Sequence, residues 1–333
     1  MRVILSLLAA CLLWGCGPTT LVVGVTPGDQ YLQATRVIAG QGWWPDRVAM
    51  IDVTGLLLST NQTGLLSEGD NPLSDLAEKL QAARNDVRVK AVILRINSPG
   101  GTVTASDAMY RELLRFREQT GKPVVVLMMD VAASGGYYLA CAADHIVAYP
   151  TTITGSVGVI AQTVSIKSGL SMIGIHSEAF TSGPNKDAGS PLADMSDSHR
   201  QVFRSMIDDF YQRFAGIVKQ HRTGIPADKF TWATDGRIVT GTQALEVGLV
   251  DELGDLHSTF ARAQQLAQIS NAELIVYHRP LRYVGSPYAL AATDGMAGNS
   301  ARGVTVNLAQ INLPEFMQGG SSGFYYLWSG TGH

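Results

Sequence analysis

Ser134 stands in Ala132-Ala133-Ser134-Gly135-Gly136-Tyr137-Tyr138, a lone hydroxyl among very small residues that directly follows a strongly apolar segment. Small neighbours leave room for a substrate backbone. The glycines behind the serine can turn unobstructed N–H groups toward a developing oxyanion. Upstream, Asn97-Ser98-Pro99-Gly100-Gly101 makes a second glycine turn. A serine hydroxyl becomes a useful nucleophile only when a base takes its proton. The chain has no Gly-x-Ser-x-Gly elbow, and none of its seven histidines lies near Ser134 in a recognisable motif. Ser-Lys pairs perform the same chemistry on other folds, which directs attention to the lysines. Lys79, Lys90, Lys122, Lys219 and Lys229 fall on helix faces or turns, leaving Lys167 and Lys186. Spacing alone does not choose between these two. Whichever serves must be desolvated, because a free lysine is only about 0.1% neutral near pH 7.5. Lowering its pKa to roughly 7–8 takes about 4 kcal/mol of environment acting against the ammonium.

The elements that must position these groups alternate along the chain. A first clear strand runs from Val48 to Leu58, and Asn71-Pro72 is a helix start, a capping side chain followed by proline in the first turn. Ala91-Val92-Ile93-Leu94 is the continuous apolar run of a strand buried on both faces. A helix over Ser106–Thr120 ends at Gly121 and Pro123, and a second buried strand covers Val124–Met129. Ile146–Tyr149 is the next strand. Such a βαβ series predicts an α/β fold with a mostly parallel sheet and crossover helices. Ligands of these sheets collect at the carboxyl ends of strands, where both the Gly100-Gly101 loop and Ser134 fall. Ser134 also opens a helix, whose N-terminal dipole favours negative charge.

Downstream, Ser182–Ser190 reads as an exposed loop. A long amphipathic helix follows, with Val202, Phe203, Met206, Ile207, Phe210, Phe214, Ile217 and Val218 on a stripe suited to core or subunit contacts. Leu249–Gly254 closes the compact region. From about Pro280 the composition turns Gly-, Ser- and Asn-rich, which predicts a partly disordered tail. Within it, Phe324-Tyr325-Tyr326-Leu327-Trp328 reads as an exposed aromatic docking strip.

At 333 residues the chain can bury a full core, and a net charge of −3 carries no footprint for nucleic acid. No His/Cys cluster has metal-ligand spacing, so neither a metal nor an organic cofactor is expected. The N-terminus reads as a processing signal. Arg2 precedes a largely apolar run from Val3 to Trp14, suited to a secretory signal and too short to span a bilayer. It stops at Leu13-Trp14-Gly15-Cys16, which resembles a bacterial lipoprotein processing site with Cys16 as the lipidated residue. The expectation is an exported, membrane-associated protein, lipid-anchored on the extracytoplasmic side. Removal of Cys11 and acylation of Cys16 would leave Cys141 as a packed thiol with no disulfide partner. The organisation expected is a signal peptide at 1–15, a linker at 16–45, a catalytic domain at 46–275 and the tail at 276–333.

Several linked motifs carry a resemblance. Arg95-Ile96-Asn97-Ser98-Pro99-Gly100-Gly101, the Ser134 segment, Thr154-Gly155-Ser156-Val157-Gly158-Val159-Ile160, Ser182-Gly183-Pro184-Asn185-Lys186-Asp187-Ala188-Gly189-Ser190-Pro191, Asp235-Gly236-Arg237 and Gly248-Leu249-Val250-Asp251-Glu252 occur in that order. Together, over roughly Arg47 to Ala267, they resemble the bacterial signal peptide peptidase A family. The resemblance implies a Clp protease/crotonase-like fold with a single catalytic domain, Ser134 as nucleophile and Lys186 as general base. It leaves Lys167 outside any motif. Gly101 and Gly135 are then the backbone donors of the oxyanion hole. The resemblance further implies homo-oligomers in which serine and lysine come from adjacent protomers, acting on apolar extended peptides such as cleaved signal peptides. Two other readings stay open at the level of residues. A crotonase-type acyl-CoA enzyme would use the glycine N–H groups on a thioester enolate, and a CoA thioester would stabilise it thermally. A non-catalytic lipoprotein scaffold would have no need of both Ser134 and Lys186.

Overall fold

The computed structural model describes residues 31–61, 63–64, 67–68, 71–279, 284–289 and 324–328. The chain divides into two compact units, Met1–Tyr31 and Leu32–His333, and every element named below belongs to the second. The Val3–Trp14 run and Cys16 lie outside the described residues. So does the expected tail, apart from residues 276–279, 284–289 and 324–328.

In chain order the elements are β1 (Gln33–Ile38), β2 (Asp46–Leu57), the short pair β3 (Thr63–Gly64) and β4 (Ser67–Glu68), α1 (Pro72–Asn85), β5 (Val89–Thr102), α2 (Val103–Thr120), β6 (Val124–Ala133), α3 (Gly135–Ala140), β7 (His145–Ala148), β8 (Ile153–Gly155) and β9 (Ile160–Ala161). There follow α4 (Lys167–Met172), α5 (Asp197–His221), α6 (Ala227–Ala233), β10 (Ile238–Thr240), α7 (Gly241–Val247), β11 (Glu252–Leu253), α8 (Leu256–Leu266), β12 (Ala272–His278) and β13 (Phe324–Leu327).

The main sheet has the order β1-β12-β2-β5-β6-β7-β11. All neighbours along it run parallel except β1, which lies antiparallel on β12. The apolar runs explain this arrangement. Ala91, Val92, Ile93 and Leu94 are all fully buried, because β5 sits at the middle of the sheet with a layer on each face. Alternate residues enter opposite layers. Ala49, Ile51, Val92, Leu94 and Val126 pack with Leu76 of α1, Met109 of α2, Tyr137 of α3 and Phe214 of α5. Val48, Met50, Ala91, Ile93 and Val125 pack with Leu256 and Ala263 of α8.

Helix ends follow the capping signals. The Asn71 side chain accepts the N–H groups of Leu73 and Ser74 at the start of α1. The second helix starts at Val103, one turn before the expected Ser106, because the Thr102 hydroxyl accepts the Ala105 N–H. It stops at Gly121, whose φ of 64° ends the helical run. Three expectations are corrected. Residues 33–38, expected as linker, form β1. The sheet continues to His278, past the expected boundary at 275. The aromatic strip is neither exposed nor free: Phe324–Leu327 is a strand and Tyr326 is fully buried.

Candidate active site

β6 ends at Ala133 and α3 begins at Gly135, so Ser134 alone makes the turn. It does so at φ 51° and ψ −115°, a backbone conformation that costs a non-glycine residue about 1–3 kcal/mol. Two bonds hold it there. The Ser134 N–H donates to the Gly155 carbonyl at 2.9 Å, and its own carbonyl accepts the Tyr138 N–H at 2.8 Å. The side chain is buried, and among the described residues Oγ has no hydrogen-bond partner. A buried, unsatisfied hydroxyl on a strained strand-to-helix turn is the device of a nucleophile elbow, reached without the Gly-x-Ser-x-Gly sequence.

The glycine turn of β5 closes against this elbow. Gly100 has φ 107°, and a Cβ there would lie 2.7 Å from the Gly135 nitrogen. A Cβ on Gly135 would meet Ser106 Oγ at 2.4 Å and the Gly100 Cα at 3.1 Å. Glycine at both positions is what allows the two backbones to touch. Gly101 packs on Leu57 of β2, its register neighbour. The structure thus brings Ser134, Gly135 and the Gly100-Gly101 turn to one sheet edge. Ser98 braces that turn: its hydroxyl donates to the Gly55 carbonyl at 2.6 Å and accepts the Gly100 N–H at 3.1 Å. Sequence inspection overlooked this role, although the serine's place two residues before the first glycine was the available signal.

Beside the elbow lies an aromatic cluster. Tyr138 makes edge contacts with Tyr110 and Phe214, at centroid separations of 5.3 and 5.0 Å. Its hydroxyl donates to Asp107 at 2.7 Å, and Arg213 donates to the same carboxylate at 2.6 Å. Burial opposes ionisation of Asp107, but the Tyr138 hydroxyl and the Arg213 and Arg111 guanidinium groups outweigh it and hold the pKa below the ordinary carboxylate value. Cys141, one turn beyond, is fully buried, and burial pushes its thiol up to about 12. It is the packed thiol expected, unfit as a nucleophile at neutral pH.

Lys186 lies elsewhere in the chain. It is exposed on the loop between α4 and α5, and no bond joins it to Ser134. The first turn of α5 holds that loop. The Ser196 N–H donates to His199 Nδ1, which leaves Nε2 to donate to the Pro184 carbonyl at 2.7 Å. Ser198 donates to the Asn185 side chain at 2.7 Å. Lys167, the other lysine that spacing left open, is paired with Asp194 at 2.6 Å.

Comparison with known proteins accords with this geometry. Peptidase family S49 matches residues 116–270, and Clp protease matches residues 46–181. Protease 4 of Salmonella typhi is 36% identical over 268 residues, which cover 80% of this chain and 41% of that protein. The chloroplastic serine protease SPPA of Arabidopsis thaliana is 35% identical over 231 residues, 67% of this chain and 33% of that one. A Synechocystis protein named as a protease is 36% identical over 208 residues, 62% of this chain and 70% of its own length. The chain belongs to peptidase family S49, the signal peptide peptidase A family. The S49 match holds the elbow, α3 and the Lys186 loop, while the Gly100-Gly101 turn falls within the Clp protease match. The parallel sheet with helical layers on both faces agrees with that Clp-like α/β class. The matched part of this chain spans about two fifths of the Salmonella relative's length and a third of the Arabidopsis one's.

Proposed function

We propose that this chain is a serine endopeptidase that cuts apolar, extended peptides such as cleaved signal peptides, with Ser134 as nucleophile and Lys186 as general base. The observation that carries the reading is the Ser134 hydroxyl, buried and unpartnered on a strained turn, with glycine backbone packed against it. In this mechanism the neutral Lys186 amine takes the Ser134 proton as Oγ adds to the substrate carbonyl carbon. Backbone N–H groups of Gly101 and Gly135 receive the oxyanion. The Lys186 ammonium then protonates the departing amine, and water, deprotonated by the same lysine, hydrolyses the acyl-serine. α3 is only six residues long, so the donors contribute more here than any helix dipole.

The lysine is supplied by a second protomer. Ser134 has no base among its own chain's described residues, and Lys186 stands in solvent. Around that loop Val164, Ile166, Met172, Ile173 and Phe180 are exposed, an apolar surface suited to a neighbouring subunit. Oligomers with shared sites make both facts intelligible. The N-terminal residues 1–15 are read as the export signal and Cys16 as the lipid anchor. Among the described residues no helix is long and apolar enough to cross a membrane.

Subunit mixing tests the shared site. Ser134→Ala and Lys186→Ala are each expected to be inactive, and co-refolded mixtures are expected to recover about a quarter of wild-type turnover per site under statistical pairing. Mixed oligomers with no recovered activity would place the dyad within one chain and overturn this arrangement.

A further inference from the structure

From Gly158 to Arg213 a single residue is buried, and it is a histidine: His199, 5% exposed, in the first turn of α5. Every other residue of that stretch stands at least partly in solvent, Lys186 included. A buried imidazole needs partners for both ring nitrogens. We propose that His199 is the positioning residue of Lys186, a clasp that fixes the arc of chain from which the base reaches a neighbouring protomer's serine. The inference rests on the reading of Lys186 as general base and extends it to what aims the lysine.

The two ring nitrogens do different work. Nδ1 accepts the Ser196 N–H at 3.5 Å and the Ser196 hydroxyl accepts the His199 N–H at 3.1 Å, which closes the capping box of α5. With Nδ1 an acceptor, the ring proton sits on Nε2. That N–H donates to the Pro184 carbonyl at 2.7 Å, and an Asp187 carboxylate oxygen stands 3.5 Å from the same nitrogen. Pro184 precedes Lys186 by two residues and Asp187 follows it directly. One imidazole nitrogen thus faces the chain on both sides of the base. Between them Asn185 is held as well, its side-chain oxygen accepting the Ser198 hydroxyl at 2.7 Å.

The loop's own bonds are local. The Lys186 N–H donates to the Gly183 carbonyl at 3.2 Å and the Ala188 N–H to the Asn185 carbonyl at 3.3 Å, turns that shape the arc without attaching it. Among the described residues, the bonds that join residues 184–187 to a regular element come from Ser198 and His199 alone. The helix behind them is anchored, because Phe214, Ile217 and Val218 in its second half pack in the core. The path from the core to Lys186 therefore runs along α5 and through its first turn. A base delivered across a subunit boundary has to arrive with its backbone already ordered, since ordering a loop during the reaction costs rate. The role requires a donor rather than bulk, because the Pro184 carbonyl only accepts.

Two substitutions in the full chain separate the clasp from the cap. His199→Gln still accepts the Ser196 N–H and still donates to Pro184. His199→Glu keeps the acceptor, so α5 retains its capping box, but it has no proton for Pro184 and sets a second carboxylate beside Asp187. On an apolar fluorogenic peptide, His199→Gln is expected within about threefold of wild-type kcat. His199→Glu is expected about tenfold or more below it, with KM within about twofold and Tm unchanged. Equal turnover in the two variants would overturn the clasp. Should His199→Glu fail to fold, His199→Leu, which fills the space without a donor, takes its place under the same expectation. Subunit mixing then locates the defect. His199→Glu chains co-refolded with Ser134→Ala chains should recover turnover, because each Ser134 then meets an intact lysine loop, whereas mixture with Lys186→Ala should stay no higher than His199→Glu alone. Recovery with Lys186→Ala would place the defect outside the lysine loop and overturn the assignment. Wild-type turnover in Lys186→Ala would reject the general-base reading itself, while an inactive Lys186→Ala beside a fully active His199→Glu would reject only the clasp.

Discussion

At the scale of the residue, the decisive feature is a serine whose backbone is strained and whose hydroxyl is buried without a partner. Both properties oppose stability, and both suit a nucleophile that must meet a substrate carbonyl at a fixed angle. The strain is measurable. Ser134→Gly removes the Cβ that makes φ 51° costly, whereas Ser134→Ala keeps it. Thermal unfolding should therefore rank glycine above alanine by about 1 kcal/mol or more, a few degrees in Tm for a domain of this size. Equal Tm values would mean the turn carries no strain. The candidate nucleophile was legible from its small neighbours alone, since close backbone approach requires them. Its strain was not legible, because no Gly-x-Ser-x-Gly pattern announces the elbow and the conformation is imposed by Gly155 and Tyr138.

At the scale of the element, the site is the meeting of two turns at the ends of neighbouring parallel strands. That both turns follow buried strands was legible from the apolar runs of β5 and β6, whereas the adjacency of those strands is read from their pairing. The pinning of the Gly100 turn was not legible, because Ser98 bonds across to Gly55 of another strand. Ser98→Ala leaves the buried Gly100 N–H without this partner, at about 1–3 kcal/mol. Turnover should fall about tenfold with little change in KM, as expected when a donor is misplaced only for the transition state. An unchanged kcat with a lowered Tm would reduce Ser98 to a structural role. The two elements that composition concealed, β1 and β13, share a physical reason. Each is a short strand whose partner lies far off in sequence, β12 for the one and the glycine turn for the other. Nothing local in Gln33–Ile38 or Phe324–Leu327 distinguishes a paired strand from a linker or an exposed strip.

At the scale of the whole molecule, ion pairs tie the helices to the sheet and set its acid limit. Burial disfavours ionised Asp86, Asp107, Asp251 and Glu252, yet their partners outweigh it: Arg47 for Asp86, Tyr138 and Arg213 for Asp107, Arg222 for Asp251, and His145 with Arg262 for Glu252. All four carboxylates are held below their ordinary values. Depressed folded pKa values give stability that is complete above the unfolded pKa, about 4, and is lost as pH falls through the folded values. The contribution of these carboxylates to Tm should be constant down to about pH 5 and lost in more acidic solution, with Asp107→Asn showing a shallower acid decline than wild type. A parallel decline in both would remove Asp107 from this set. The lysine loop also belongs to this scale. Lys186 was chosen by motif, whereas its place on an exposed loop with no bond to Ser134 among the described residues is read only from the structure. The central claim is best tested by hydrolysis of an apolar fluorogenic peptide, comparing the full chain with Ser134→Ala and Lys186→Ala. Turnover by the wild type, with each variant reduced about 10⁴-fold or more, is the predicted result. Comparable turnover in folded Ser134→Ala protein would contradict the account at its centre.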